Sequence, residues 1–407
     1  MSRCLVLIAI LLLLSPMGSI GALIPDDLQI ITEEYAPLNY MENGTLKGIS
    51  VDLMEEVLHR MGSNLTRDSF QVLPWNEGYA RVSTTPDSIL FSTDRFPERE
   101  SQFLWVGPVI ASREVLFTRT DTNRSDVTDI ASLRIVALTD DCGKKYVIDA
   151  GADEQNIIEV PSAKDAVRLI ENGSADAWAY NELAGQHGID RYAGDPTRLS
   201  VGKDLGISTY YFAFHPKTSP EFVNAVNTTL QDLKRDRTNT GITEYERIVA
   251  RYLSVQCATT SPGRDRVMDL VNLTAAAIAT DAQGTIASIH AGESPYRDPV
   301  DSELYVFVFD TKVNLMANAV NTANTGKNLA GTTDVFGYPF RDEMIEGAVQ
   351  NGTGWVSYVY SNPNSLGLYQ KMSYYQLVNG SDGIEYVVGA GRYRICGVAE
   401  GNLSDQG

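Results

Sequence analysis

Two rhythms of apolar residues divide the chain. As far as about residue 254, short apolar runs alternate with segments whose apolar positions recur every three or four residues, the pattern of an α/β layer. The runs "LQII", "FQVL", "SILFS", "VLFT", "RIVAL", "IIEV", "DAWAY" and "YYFAFH" predict strands. In "SVDLMEEVLHRMG", Val51, Met54, Val57, Leu58 and Met61 share one helical face, with Ser50 as the expected cap and Gly62 as the stop. "SAKDAVRLIENG" repeats that design between Ser162 and Gly173, and "SPEFVNAVNTTLQDLKRD" places Pro220 at the first helical position. A last helix, "GITEYERIVARYL", closes this region.

The rhythm changes after a linker over 255–262. Val267, Leu270, Val271, Thr274 and Ile278 form a helical stripe, and four β-rich runs follow: "ELYVFVFD", "GTGWVSYVYSNP", "YQKMSYYQLV" and "EYVVGAGRYRI". Helix first and antiparallel strands after predict an α+β domain over 263–398. The length of 407 residues suits two or three domains.

Composition narrows the partners. Hydrophobic residues make up 43% and charged residues 21%, a globular balance. A net charge of −19 disfavours nucleic acid, which needs a basic face. Arg3, the apolar run "LVLIAILLLL" and the small residues of "GSIGA" predict a signal peptide over 1–22, with an uncleaved anchor as the alternative. The expected address is therefore extracytoplasmic: secreted, on the cell surface, or periplasmic in a diderm bacterium. Nine Asn-x-Ser/Thr triplets, at Asn43, Asn64, Asn123, Asn172, Asn227, Asn272, Asn351, Asn379 and Asn402, suit a glycosylated, archaeal-like or eukaryotic surface protein. Beyond the signal lie Cys142, Cys257 and Cys396, an odd number that excludes full pairing within the chain. A Cys257–Cys396 bridge would clasp the ends of the second domain; sequence leaves open whether the two meet.

Separated motifs then point to a family. "TEEYAPLNYMENGTLKGISVDLMEEVLHRMG", "LPWNEGYARV", "LFSTDRFPERESQFLWVGPVI", "IVALTDDCGKKYVIDAG" and "IENGSADAWAYNELAG" follow one another as in family 3 solute-binding proteins, which this region resembles. The resemblance implies a two-lobed, type II periplasmic-binding-like fold over 26–254. Lobe one would comprise 26–113 and 215–254, lobe two 114–214, with a ligand held between them. It makes Tyr35 a ring against the ligand, Trp75 and Tyr79 further walls, and Arg99 the grip on a ligand carboxylate, since a guanidinium matches two carboxylate oxygens. Arg95 is expected to pair with a nearby acid. In the loop "ALTDD", Thr139 is the expected ligand contact, because Asp140 and Asp141 would repel an anion. Asn181 stands where amino-acid binders of the family carry an aspartate for the ligand's ammonium, which puts an α-amino acid in doubt and favours a simple carboxylate or another polar metabolite.

The later segments "GKNLAG", "GYPFRDEMIEGAVQNGTGWVSYVYSNP" and "YVVGAGRY" resemble a single Cache domain, a PAS-like extracellular sensor. That resemblance implies a pocket lined or supported by Trp355, Tyr358, Lys371 and Tyr374. Asn318 and Ala319 replace a His-Pro pair common in that family. The expected function is capture of a small, carboxylate- or amino-acid-like molecule for a membrane transporter or sensor kinase. No cofactor is implied, and no HExxH, GxSxG, CxxC or Walker motif occurs. The alternatives are an enzyme on the same scaffold, such as a dehydratase, and a structural surface glycoprotein.

Overall fold

The computed structural model describes residues 24–122, 129–239, 241–362 and 365–396. The signal segment 1–22, Asn123, Asn402 and the expected domain end at 398 lie outside the described residues.

The first domain is built on one eight-stranded sheet that both lobes share. Its strand order is Gln71–Val72, Gln29–Thr32, Ser88–Asp94, Leu199–Phe214, Leu104–Arg119, Ala177–Asn181, Ile135–Leu138 and Ile157–Val160. The two central strands, each 16 residues long, pair antiparallel from Leu199↔Arg119 to Phe214↔Leu104. They run through both lobes and form the hinge. The pairing register shifts at three places along them, including between Asp204 and Gly206, and such bulges bend and twist a ladder locally. The flanking short strands pair parallel with one another on each side, the arrangement that βαβ units produce. Ser88–Asp94 is buried at every position.

Most expected elements appear. Helix Ile49–Arg60 carries Val51, Met54, Val57 and Leu58 buried. Ser50 does not cap it: Ser50 lies within the first turn and its hydroxyl meets Ser92 Oγ at 3.0 Å. Gly48 precedes the helix at φ 130, with Leu38 O only 2.2 Å from where a Cβ would stand, so the close approach of the preceding loop requires glycine. Ser162 caps Ala163–Glu171, and Pro220 opens Pro220–Arg235, as expected.

The second domain folds a sheet against three helices, Arg264–Thr280, Ala282–His290 and Phe340–Asn351. Strand Ser365–Asn379 pairs with Thr353–Asn362 on one side and Glu385–Tyr393 on the other, and the order continues to Val306–Asp310 and Leu315–Asn318. Helix Arg264–Thr280 buries Val267, Leu270, Val271, Thr274 and Ile278, the stripe the sequence predicts, and helix Phe340–Asn351 covers the Thr353–Asn362 strand. The expected linker is not free: Val255 and Gln256 add a short edge strand beside Leu368 and Tyr369. A Cys257–Cys396 disulfide closes the domain, and Cys142 is the free cysteine.

The two domains share packing. Val335, Val359 and Leu368 of the second join the main apolar cluster of the first, and the buried Tyr245 hydroxyl donates to Val109 O at 2.9 Å and Val335 O at 3.3 Å.

Candidate functional site: an acidic cleft between the lobes

Each part of the first domain brings one wall to the cleft. Lobe one supplies Glu33, Tyr35, Trp75, Ser92, Asp94 and Arg99; lobe two supplies Asp140, Asp141 and Cys142; the second hinge strand supplies Tyr210. The lobes are closed on one another. Tyr35 is 6% exposed, its hydroxyl lies 2.9 Å from that of Tyr210, and its ring meets Tyr180 of lobe two edge-on at 5.6 Å. Tyr146 of lobe two donates to Asp94 of lobe one at 3.4 Å. About 30 Å³ of space remains, room for roughly two water molecules, so a metabolite has to part the lobes to enter.

Carboxylates dominate this space: Glu33, Asp94, Asp140 and Asp141 line it, and Glu114 lies behind Tyr210. Asp94, at the end of its strand, accepts from Ser208 Oγ at 2.5 Å and Thr209 N at 3.4 Å. Burial pushes it up to about 6, although the Ser208 hydroxyl opposes the shift. Asp141 is raised to about 7 by burial, against a 2.7 Å bond from Gly143 N. Glu33 is raised to about 8 by desolvation and by Asp141. Glu114, wholly buried on the first hinge strand, is pushed upward by burial and then by Asp141. Its Oε1 accepts from Asn181 Nδ2 at 3.1 Å and Tyr210 OH at 3.3 Å, while Oε2 has no hydrogen-bond partner among the described residues.

One cation faces them. Arg99 Nη1 donates to the Asp94 carbonyl at 3.2 Å, and its guanidinium lies 5.2–5.4 Å from the ring centroids of Trp75, Tyr79 and Phe96. Among the described residues it makes no carboxylate ion pair.

The structure therefore sorts the expected residues. Tyr35, Trp75 and Arg99 line the cleft. Tyr79 does not: its ring packs on Phe103, its hydroxyl donates to Gln102, and it backs Arg99 instead. Thr139 is also displaced, because its amide and hydroxyl both go to Val160 O, leaving the two aspartates after it at the cleft. Asn181 caps helix Glu182–Tyr192 by accepting from Leu183 N and Ala184 N, and turns its amide nitrogen to Glu114 rather than into the cleft. Arg95 pairs with Glu100. Sequence reasoning missed Glu33, Asp94 and Tyr210 as cleft groups, and Glu114 behind Tyr210. Asp94, five residues before Arg99 at the exit of a wholly apolar strand, carried the clearest signal.

A second cavity, of about 40 Å³, lies in the C-terminal domain between sheet and helix. Tyr305, Asn318, Asn321, Asn324, Arg341, Tyr358, Tyr360 and Lys371 are among its lining residues. Lys371 is 1% exposed, donates to Tyr305 OH at 2.7 Å, and lies over the Tyr305, Tyr393 and Tyr360 rings. Arg341 is 6% exposed and donates to Thr332 Oγ1 at 3.1 Å. Neither cation has a carboxylate partner among the described residues. Tyr358 stacks on Phe340 at 3.9 Å, whereas Tyr374 packs on Trp355, away from the cavity. Strand alternation explains the difference: Tyr358 and Lys371 are register partners on one face, and Trp355 and Tyr374 are partners on the other.

The surface sites differ in access. Asn43, Asn64, Asn172, Asn272, Asn351 and Asn379 are exposed, whereas Asn227 is partly buried and accepts from Gly107 N. No helix among the described residues is long and apolar enough to cross a membrane, and no cluster of three or more His, Cys, Asp and Glu among them is placed to hold a metal ion.

A shared hinged sheet, two lobes closed on a polar cleft and a PAS-like sensor module define a two-lobed binding protein with an appended Cache domain. The chain belongs to the bacterial extracellular solute-binding proteins, family 3, matched over residues 28–253, and residues 244–394 match the single Cache domain 2 model. Among solved structures it is similar to a histidine kinase sensor domain with similarity to periplasmic binding proteins, at 20% identity over 56% of this chain and 96% of that one, with a TM-score of 0.48. It is similar too to the arginine-, lysine-, histidine-binding protein ArtJ from Geobacillus stearothermophilus (17% identity, 55% and 94% coverage, TM-score 0.46). A third is holo ArgBP from T. maritima (16%, 53% and 92%, 0.44). No curated protein matches the chain.

Proposed function

We propose that this protein is an extracytoplasmic receptor that closes its two lobes on a small molecule and presents the ligand, or the closed shape, to a membrane transporter or sensor. The observation that carries this reading is the meeting of Tyr35 from lobe one, Tyr180 from lobe two and Tyr210 from the hinge at one closed cleft. Closure is ligand-dependent only so far as a ligand prefers the closed form. The test is a thermal-shift screen of metabolites followed by small-angle scattering. A ligand at a hundredfold its Kd stabilises the fold by about 2.7 kcal/mol, and a cleft ligand also shifts the lobes toward the compact form.

The carboxylate expected against Arg99 is better matched by the Cache cavity. Among the described residues Lys371 and Arg341 are buried there with no carboxylate in ion-pair contact, Glu303 and Asp334 acting on them from further off, and a buried charge without a close partner is costly. A short carboxylate would supply the missing charge and accept from Asn321 and Asn324. Binding of acetate or a similar acid that Lys371→Met abolishes supports this second site; unchanged binding places the acid elsewhere.

A further inference from the structure

The Cache domain is anchored on both sides of the hinge. Toward lobe one, the Tyr245 hydroxyl bridges Val109 O of the first hinge strand and Val335 O of the Cache domain, beside the apolar cluster that Val335, Val359 and Leu368 join. Toward lobe two, Asp204 Oδ2 accepts from Asn321 Nδ2 of the Cache domain at 2.6 Å and from Arg113 Nη1 at 3.0 Å. Arg113 pairs in turn with Glu182, the first residue of helix Glu182–Tyr192. A cavity of about 50 Å³ lies at this junction, with Arg113, Glu182 and Leu183 on one side and Val335, Arg341 and Val359 on the other. Close packing resists displacement; unfilled space beside the hinge leaves the junction room to shift.

The anchor toward lobe two falls on the part of the hinge that also reaches the cleft. The strand register shifts between Asp204 and Gly206, and Asp204 Oδ1 accepts from Gly206 N at 2.9 Å. The Tyr146 ring lies 2.9 Å from where a Cβ would stand on Gly206, a close approach that glycine permits. Tyr146 OH donates to Ile207 O at 3.2 Å and to the cleft residue Asp94 at 3.4 Å. One bulge therefore carries Asn321 on one side and Tyr146 on the other, and Asn321 is also a wall of the Cache cavity.

Opening the cleft turns lobe two against lobe one about the hinge strands, so a domain held on both sides has to give up one anchor. The anchor at Tyr245 is apolar and fully buried; the anchor at Asp204 is a pair of polar side chains and is the one to part. Resting on the reading of the cleft as one that opens and closes, we infer that the Cache domain is a strap across the hinge and that the Asn321–Asp204 hydrogen bond is the latch that favours the closed lobes. Asn321 is a positioning residue, acting on the cleft through Asp204 and the bulge.

Cys142 lines the cleft and is free, so its labelling by a small thiol reagent on the full chain, relative to the urea-unfolded chain, reads opening. The parent is expected to be protected at least tenfold. Asn321→Asp keeps the side chain's shape and the acceptor that serves Ala323 N, but sets a negative charge against Asp204. It is expected to speed labelling about tenfold, the size of a lost hydrogen bond to a charged group. Adding Asp204→Asn to the same chain puts the donor on the hinge and the acceptor on the Cache domain, and is expected to restore most of the protection. Asn328→Ala breaks bonds within the Cache domain to Lys312 and Asn314 and is expected to leave labelling unaltered. Should Asn321→Asp not fold, Asn321→Ala carries the same expectation against that control. Labelling that Asn321→Asp leaves unaltered or slows, that Asn328→Ala speeds as much, or that the exchanged pair does not restore overturns the latch and leaves the closing cleft standing. A parent whose Cys142 labels as fast as in the unfolded chain overturns the closed-cleft reading and the latch with it.

Discussion

On the proposed clamshell reading, Asp94 is expected to make closure of the unliganded cleft depend on pH. It is 6% exposed and pushed from its ordinary 3.8 to about 6, chiefly by burial. The groups facing it are Arg99 from its own segment, Ser208, Thr209 and Tyr210 from the second hinge strand, Glu114 from the first, and Tyr146, Asp141 and Cys142 from lobe two. In the open form the carboxyl meets water and titrates near its ordinary value. A folded-state value raised above the solvated one leaves closure complete at low pH and weakens it as pH rises through about 6. At 1.36 kcal/mol per tenfold change in proton affinity, Asp94 alone costs closure about 3 kcal/mol by pH 8, a factor of about 100. Asp141 at about 7 and Glu33 at about 8 push in the same direction. Cys142 lines the same space, so its protection from a thiol reagent reports opening. The rate at each pH is divided by that of a peptide carrying the same local sequence, which removes the thiol's own ionisation. Between pH 5 and pH 8 Asp94 alone is expected to lower protection about tenfold, because the rest of its effect is spent below pH 5, and Asp141 and Glu33 deepen the fall. Asp94→Asn is expected to remove about that tenfold and to leave the part due to Asp141 and Glu33. Opening on acidification, or an unaltered slope in Asp94→Asn, would refute the assignment of the pH response to this carboxyl.

Other outcomes follow from individual contacts. Reducing Cys257–Cys396, which spans 139 residues, should destabilise the C-terminal domain by about 5 kcal/mol on the chain-entropy estimate; urea unfolding with and without reductant measures it. Gly185→Ala would set a Cβ 2.1 Å from the Phe117 ring, so overpacking should cost about 1–3 kcal/mol in thermal or urea unfolding. Burial lowers the affinity of Lys371 for its proton, so it penalises the fold as pH falls from the ordinary lysine value toward its depressed one. Lys371→Met should therefore remove part of the stability that the second domain loses as pH falls below the ordinary lysine value of 10.5, read from melting temperatures taken from pH 11 downward.

The legible parts of the chain were those where one physical demand governs each stretch. Helices Ile49–Arg60 and Arg264–Thr280 show one apolar face each, and buried strands such as "SILFS" and "RIVAL" are nearly pure apolar runs. The hinge strands were not legible at their full length. "VLFT" and "YYFAFH" mark only parts of Leu104–Arg119 and Leu199–Phe214, because charged residues interrupt both: Arg113 and Glu114 in one, Lys203 and Asp204 in the other. Those charges read as a loop, yet they are where cleft, lobes and second domain meet. Tyr374 was misplaced for a simpler reason: parity along Ser365–Asn379 separates it from Lys371, and parity is visible in the sequence once the strand is recognised. Asn181 was assigned to the ligand by analogy, and its capping role depends on a helix that begins at the next residue.

Neighbouring residues of an extended strand look in opposite directions. Glu114 accepts from the cleft residue Tyr210 at 3.3 Å, while Arg113 pairs on the other side with Glu182 at 2.7 Å and Asp204 at 3.0 Å and lies 5.8 Å from the Tyr360 ring. Asp204 in turn accepts from Asn321, a residue of the Cache cavity, at 2.6 Å. One peptide unit thus sits between two chambers of opposite lining, acids before it and unpaired cations behind. A twist of that unit would reach both, and affinity at one chamber measured with the other filled and empty would read any coupling between them.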